Sequence, residues 1–208
     1  MSFIGKFFGS RFGGDGPESQ LPSERRAAVG ASVSAHEAAL LLRAPTALMQ
    51  LSEIEALVVV GFMRPCQFET GATIIRQGET DDTGFMVLVL SGDITVETVM
   101  ASRANPATVT VLGPGSLIGE MALVDGGARS ASCIASSQVR CAVLTREALE
   151  ALIAEQPAVA AKLMTAVAQR LGERLRESGH KLQVYSNLVK TMQQEIDALM
   201  PTPDRRLK

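Results

Sequence analysis

Two charged residues, Glu120 and Arg129, bracket a short apolar turn and a glycine pair in "GSLIGEMALVDGGARSASCIA", residues 115–135. Two readings compete. Opposite charges on an exposed hairpin are ordinarily a solvated pair contributing at most about 1 kcal/mol. An anion-binding loop is the alternative, and the order of residue types suits it. Gly119 lets the backbone approach a ligand or adopt positive φ, and Glu120 to Val124 can form one helical turn whose unpaired N–H groups point outward. Those amides, joined by a bidentate fork from Arg129, match the geometry of a phosphate.

Glu120 discriminates further. A carboxylate beside a phosphate is repelled unless it turns away to accept a hydrogen bond, and a ribose hydroxyl is such a donor. Ser130 adds a hydroxyl able to reach a phosphate oxygen or a base edge. One anion, one sugar hydroxyl and one adaptable polar contact describe a nucleotide.

Such a loop needs a rigid frame, and the flanking sequence supplies one. From "CQFET" onward, short runs rich in Val, Ile and Thr ("TIIRQGE", "FMVLVLSGD", "ITVETVM", "TVTVLGPGS", "SASCIAS", "QVRCAVLT") alternate with glycine-containing turns. No helix intervenes before residue 115, so an antiparallel barrel or jelly roll is expected. Short helices precede it. Ser34 is read as the cap of one ending before Pro45, and Ser52 with Glu55 as a capping box opening another. The fold class is α+β, with residues 35–157 as the domain.

After Thr145 the pattern is helical again, first in "REALEALIAEQ" and then over residues 158–200. There Ala168, Leu171, Leu175, Ser178, Leu182, Tyr185, Val189, Met192, Ile196 and Leu199 alternate spacings of three and four, an a/d heptad seam. A helix of that length extends roughly 60 Å, more than a small barrel can cover. A parallel homodimeric coiled coil through residues 168–199 is expected; the alternative is a helix folded back on its own domain. Gly172 and Gly179 flank the seam and mark a close approach or a bend.

Residues 1–34 read as a flexible arm and 201–208 as a tail. The start "MSFIGKFFGSRFGG" carries Phe3, Ile4, Phe7 and Phe8 with Lys6 and Arg11 but no cleavage site, so it is not read as a signal peptide. Membrane contact by this segment is the weaker reading beside a flexible tail. No run approaches the about 20 apolar residues of a membrane span. Three cysteines, Cys66, Cys133 and Cys141, sit singly in apolar stretches, which fits reduced thiols and a cytoplasmic protein.

The string "GEMALVDGGARSA" resembles the phosphate-binding cassette of cyclic nucleotide-binding domains, and "LSEIEALVVVGFMRPCQFETGATIIRQGETDDTGFMVLVLSGDITV" resembles that family's helix and first strands. The likeness covers about residues 40–175. It implies a binding set of Gly119, Glu120, Met121, Ala122, Arg129, Ser130 and Ala131. Within it, the Gly119 amide and Glu120 would face the ribose 2′-hydroxyl. The Ala122 amide and Arg129 would face the cyclic phosphate, and Ser130 the phosphate or purine. The family often has proline before the arginine; here Ala128 follows two glycines, which implies a less preorganised loop. A purine lid would come from the last helix, where Arg170 and Arg174 are the candidates.

The ligand implied is cAMP or cGMP, with the Arg-Ser pair resembling bacterial cAMP sensors. No cofactor and no metal are expected. His36 and His180 are too far apart in the chain to form a metal cluster, and no Ser-His-Asp or Cys-His arrangement is in prospect, so the protein is not expected to be an enzyme. The resemblance extends to catabolite activators, which carry a helix-turn-helix after the long helix. Only "PTPDRRLK" follows Met200, and the net charge is −2, so direct DNA binding is not expected. A downstream protein, unknown from the sequence, would receive the signal. An adaptor with a degenerate pocket, acting by dimerisation, is the other reading.

Overall fold

The computed structural model describes residues 22–81, 83–98 and 107–199. The readings of residues 1–21, including the aromatic segment, and of the tail at 201–208 lie outside the described residues. The chain divides into two compact units, Met1–Val167 and Ala168–Lys208.

The first unit opens with three helices, α1 (Pro22–Ala31), α2 (Val33–Leu42) and α3 (Glu53–Val60). Eight described strands follow: β1 (Arg64–Phe68), β2 (Thr73–Ile75), β3 (Phe85–Ser91), β4 (Ile94–Thr98), β5 (Ala107–Leu112), β6 (Leu117–Ile118), β7 (Ser132–Ala135) and β8 (Val139–Thr145). A short helix, α4 (Glu120–Asp125), separates β6 from β7, and α5 (Arg146–Glu155) follows β8. Next comes α6 (Pro157–Leu199), whose residues 157–167 belong to this unit.

The strands form two antiparallel four-stranded sheets, ordered β1-β8-β3-β6 and β2-β7-β4-β5, as the sequence led us to expect of a jelly roll. Their inner faces share one aliphatic cluster: Cys66, Val87, Val89, Cys141 and Val143 from one sheet meet Ile74, Ile75, Ile94 and Cys133 from the other. Burying each such side chain contributes about 1.5–3 kcal/mol. "FMVLVLS" reads as a continuous apolar run because β3 is covered on both faces. Phe85, Val87 and Val89 point into the cluster, while Met86 and Leu88 are fully buried on the reverse, toward the helices; α2 contacts β3 there, and α5 contacts β8.

Two local expectations are corrected. The cap of α2 is Ser32, not Ser34. Ser32 is the single extended residue between α1 and α2 (φ −97°, ψ 115°), and its hydroxyl accepts from the Ala35 amide at 3.2 Å. Residues 22–31 are α1, not part of a loose arm. Pro22 supplies a fixed φ at the first position. The anchor is Arg25, only 4% exposed, with its guanidinium 4.0 Å from the Phe62 ring centroid and Nη1 donating to Glu155 Oε2 at 2.9 Å. A helix held by a cation leaves little apolar period to read. The Ser52–Glu55 capping box is present as expected.

In the second unit, α6 carries Leu175, Leu182, Tyr185, Val189, Met192, Ile196 and Leu199, all exposed in a single copy of the chain. No described helix is long and apolar enough to cross a membrane.

Candidate functional site

The loop from Gly119 to Ala131 lies between β6 and β7, so one end is fixed by each sheet. Gly119 has φ +79° and starts α4 as its cap. A Cβ at that position would fall 2.7 Å from Arg129 Nη1 and 3.0 Å from the Phe85 carbonyl oxygen, so only glycine fits. Glu120 opens the helix and is 2% exposed. Leu123 and Ala122 are buried and seat the turn, while Met121 and Val124 face outward. The helix ends at Gly126, again at positive φ, whose amide donates to the Ala122 carbonyl.

Arg129 returns beneath this turn. It is 4% exposed; Nη1 donates to the Gly119 carbonyl at 2.9 Å and Nη2 to the Phe85 carbonyl at 3.1 Å. Its guanidinium carbon lies 4.1 Å from the Phe85 ring centroid, a cation–π contact. Nε is buried without a hydrogen-bond partner. Burial pulls this guanidinium below its ordinary range, opposed by the carboxylates of Glu79 and Glu120. A buried cation whose Nε has no acceptor is costly unless further acceptors arrive, and the oxygens of an anion are such acceptors.

The structure thus brings Gly119, Glu120, Ala122 and Arg129 together, with Ser130 and Ala131 following directly and Ser130 exposed. Arg170 and Arg174 fall on α6 after Val167, in the second unit, where Arg170 Nη1 is 3.6 Å from Glu173 Oε2. The loop is held more firmly than its glycines suggest. Asp125 Oδ1 accepts from the Gly127 amide at 2.8 Å, the Arg129 amide donates to the Glu79 carbonyl at 3.0 Å, and its carbonyl accepts from Gly78 at 2.8 Å. The turn at 76–79 therefore clamps Arg129, a role sequence reasoning did not assign. Phe85 was missed too, since its contribution includes a backbone oxygen, which no residue type encodes.

A separate groove of about 490 Å³ opens between α1, α3 and the junction of α5 with α6, and Arg25, Ile54, Phe62 and Val159 line it. None of its lining residues belongs to the cassette, and its buried cation is already engaged as the anchor of α1. Among the described residues, no group of three or more His, Cys, Asp or Glu could hold a metal ion.

The site is thus a glycine-opened helical turn over a buried arginine, set on a jelly roll. Residues 65–156 match the family described as cyclic nucleotide-binding domain, and this segment is similar to that family. It is 28% identical over 109 residues to a CRP-like cAMP-activated global transcriptional regulator of Mycobacterium tuberculosis, covering 52% of this chain and 47% of the relative. It is 37% identical over 107 residues to the cyclic AMP receptor protein of Thermus thermophilus, covering 51% and 48%. The chain spans about half the length of these curated relatives. Among solved structures, a cyclic nucleotide-binding domain from Methylobacillus flagellatus is 27% identical with a TM-score of 0.62, covering 73% of this chain and 84% of that one.

Proposed function

We propose that this protein is a cyclic-nucleotide sensor without catalytic activity of its own, taking cAMP in preference to cGMP. The observation that carries the reading is Arg129: a buried guanidinium with Nε unused, directly beneath Gly119 and Glu120. A cyclic phosphate would draw the fork away from the Gly119 and Phe85 carbonyls, and Glu120 would take the ribose hydroxyl, with Met121, Ala122, Ser130 and Ala131 completing the pocket. The names of the relatives, a cAMP-activated regulator and a cyclic AMP receptor, support cAMP. Arg170 and Arg174 would close over the purine. The signal would pass through α5 and α6 to a partner protein, in a homodimer joined through residues 168–199, in the reducing cytoplasm. Its strength is limited to the ligand's differential affinity for the two helix arrangements.

Calorimetry with purified protein tests this. The wild type binds cAMP more tightly than cGMP, and Arg129→Ala loses nearly all affinity for both while its circular dichroism is retained. Unchanged affinity in the variant removes the site assignment.

A second reading has its own support. Both Nη atoms of Arg129 already have carbonyl partners, the arrangement a pocket retired from binding would keep. The chain would then be an adaptor acting through α6. Thermal melts separate the two, since saturating nucleotide stabilises a sensor by a few kcal/mol, about 2.7 kcal/mol at a hundredfold excess over Kd, and leaves an adaptor unmoved.

A further inference from the structure

Arg146 is the first residue of α5, capped by the Thr145 hydroxyl, and it meets three separate elements. Its backbone amide donates to the Gly84 carbonyl at 2.6 Å, at the entry to β3. Its stem lies against Gly84, where a Cβ would come 3.0 Å from Arg146 Nε and 3.1 Å from its Cβ, so the close approach depends on that glycine. Nη2 donates at 3.2 Å to the Ala122 carbonyl in the cassette helix α4. The same nitrogen sits 3.7 Å from where a Cβ on Gly126 would be, beside the end of that helix. Carbonyls at a helix C-terminus favour a cation.

The two arginines hold α4 from opposite ends. Arg129 takes the Gly119 carbonyl ahead of the helix and Arg146 the Ala122 carbonyl within it; one also bonds Phe85, the other its neighbour Gly84. Their situations differ in one respect. Arg129 belongs to the candidate binding set, whereas Arg146 belongs by its backbone to the first turn of α5. The hydrogen bond from Arg146 Nη2 to the Ala122 carbonyl therefore joins the cassette to the helix that leads into α6.

We propose that Arg146 is a positioning residue that fastens the cassette helix to α5, so that displacement of α4 is transmitted to α5 through this contact. It touches no ligand itself. The inference rests on the reading of the cassette as a nucleotide site, and its direct part, the fastening of α4, can be examined without any nucleotide.

Hydrogen exchange with mass spectrometry on the full chain provides the test, comparing wild type, Arg146→Met and Arg146→Lys, each alone and with saturating cAMP or cGMP. Methionine keeps an apolar stem against Gly84 and removes the donor; lysine restores a donor. Without nucleotide, Arg146→Met speeds exchange of amides 122–126 by about threefold over wild type, and Arg146→Lys recovers most of that. With nucleotide, Arg146→Met retains protection of residues 119–131, but the change at 146–155 falls by about threefold. An unchanged ligand response at 146–155 in the methionine variant overturns the proposal. So does loss of protection at 119–131 as complete as in Arg129→Ala, which would place Arg146 in the binding site itself. If wild type shows no nucleotide effect at 119–131, the sensor reading fails by itself. The nucleotide-free comparison then decides the link, and equal exchange at 122–126 in all three proteins overturns it.

Discussion

A methyl group at residue 119 would have nowhere to go. It would meet Arg129 Nη1 at 2.7 Å, on a backbone already at φ +79°. Gly119→Ala should lose on the order of 1–2 kcal/mol from the left-handed conformation alone. Urea unfolding measures that loss. Calorimetry should show nucleotide affinity falling with it, because the displaced group is the arginine. The thiols make a second case. Cys141 faces Cys66 across the β1–β8 ladder, and hydrogen bonding to Cys66 together with burial holds its thiol well above the ordinary range. All three cysteines are buried, so a thiol reagent at neutral pH should label none of them in the folded protein and all three after unfolding. At this scale the sequence was informative about side chains with charge or special backbone freedom, such as Glu120, Arg129 and Gly119. It was silent on the Phe85 and Glu79 carbonyls that hold Arg129, since every residue carries a carbonyl and only the fold decides where it points.

Among the elements, α3 and the start of α6 are joined by Glu55, which also closes the capping box. The Lys162 ammonium, followed by the Ser52 amide and hydroxyl, holds the Glu55 carboxyl down at about 2, against an ordinary value of 4.5. A depressed carboxylate contributes stability that is full above its unfolded value and vanishes as the folded one is passed. Glu55→Gln should therefore melt below wild type at neutral pH, with the gap closing as pH falls from about 4.5 toward about 2. Thermal melts across that range check it. Further along α6, a Cβ at Gly179 meets nothing within 4 Å in the single chain. Gly179→Ala should stabilise the helix by about 1 kcal/mol, read by circular dichroism on heating. A loss of association instead would mark this glycine as a place where two helices approach closely. The capping box was legible because Ser52 and Glu55 have the required types at the required spacing. The first helix was not, because Arg25 and Phe62, distant in sequence, replace the apolar face that periodicity detects.

For the molecule as a whole, the exposed seam on α6 is the feature from which a homodimer is proposed. Leu182, Tyr185, Val189, Met192 and Ile196 repeat on one face and are exposed in one copy. Sedimentation should find a dimer, and Leu182→Glu combined with Met192→Glu should make it monomeric while leaving the β-roll intact. The jelly roll could be read from short Val- and Ile-rich runs between turns, whereas the order of its strands in two sheets depends on long-range pairing that local sequence does not carry.

Tyr185, the one tyrosine in a chain that has no tryptophan, lies on that seam at 62% exposure. Its near-ultraviolet emission is therefore a built-in optical reporter within the second unit. Steady-state anisotropy and acrylamide quenching would follow association of the unlabelled protein during a dilution series, and the same trace recorded with and without nucleotide would show whether occupancy alters the surroundings of Tyr185.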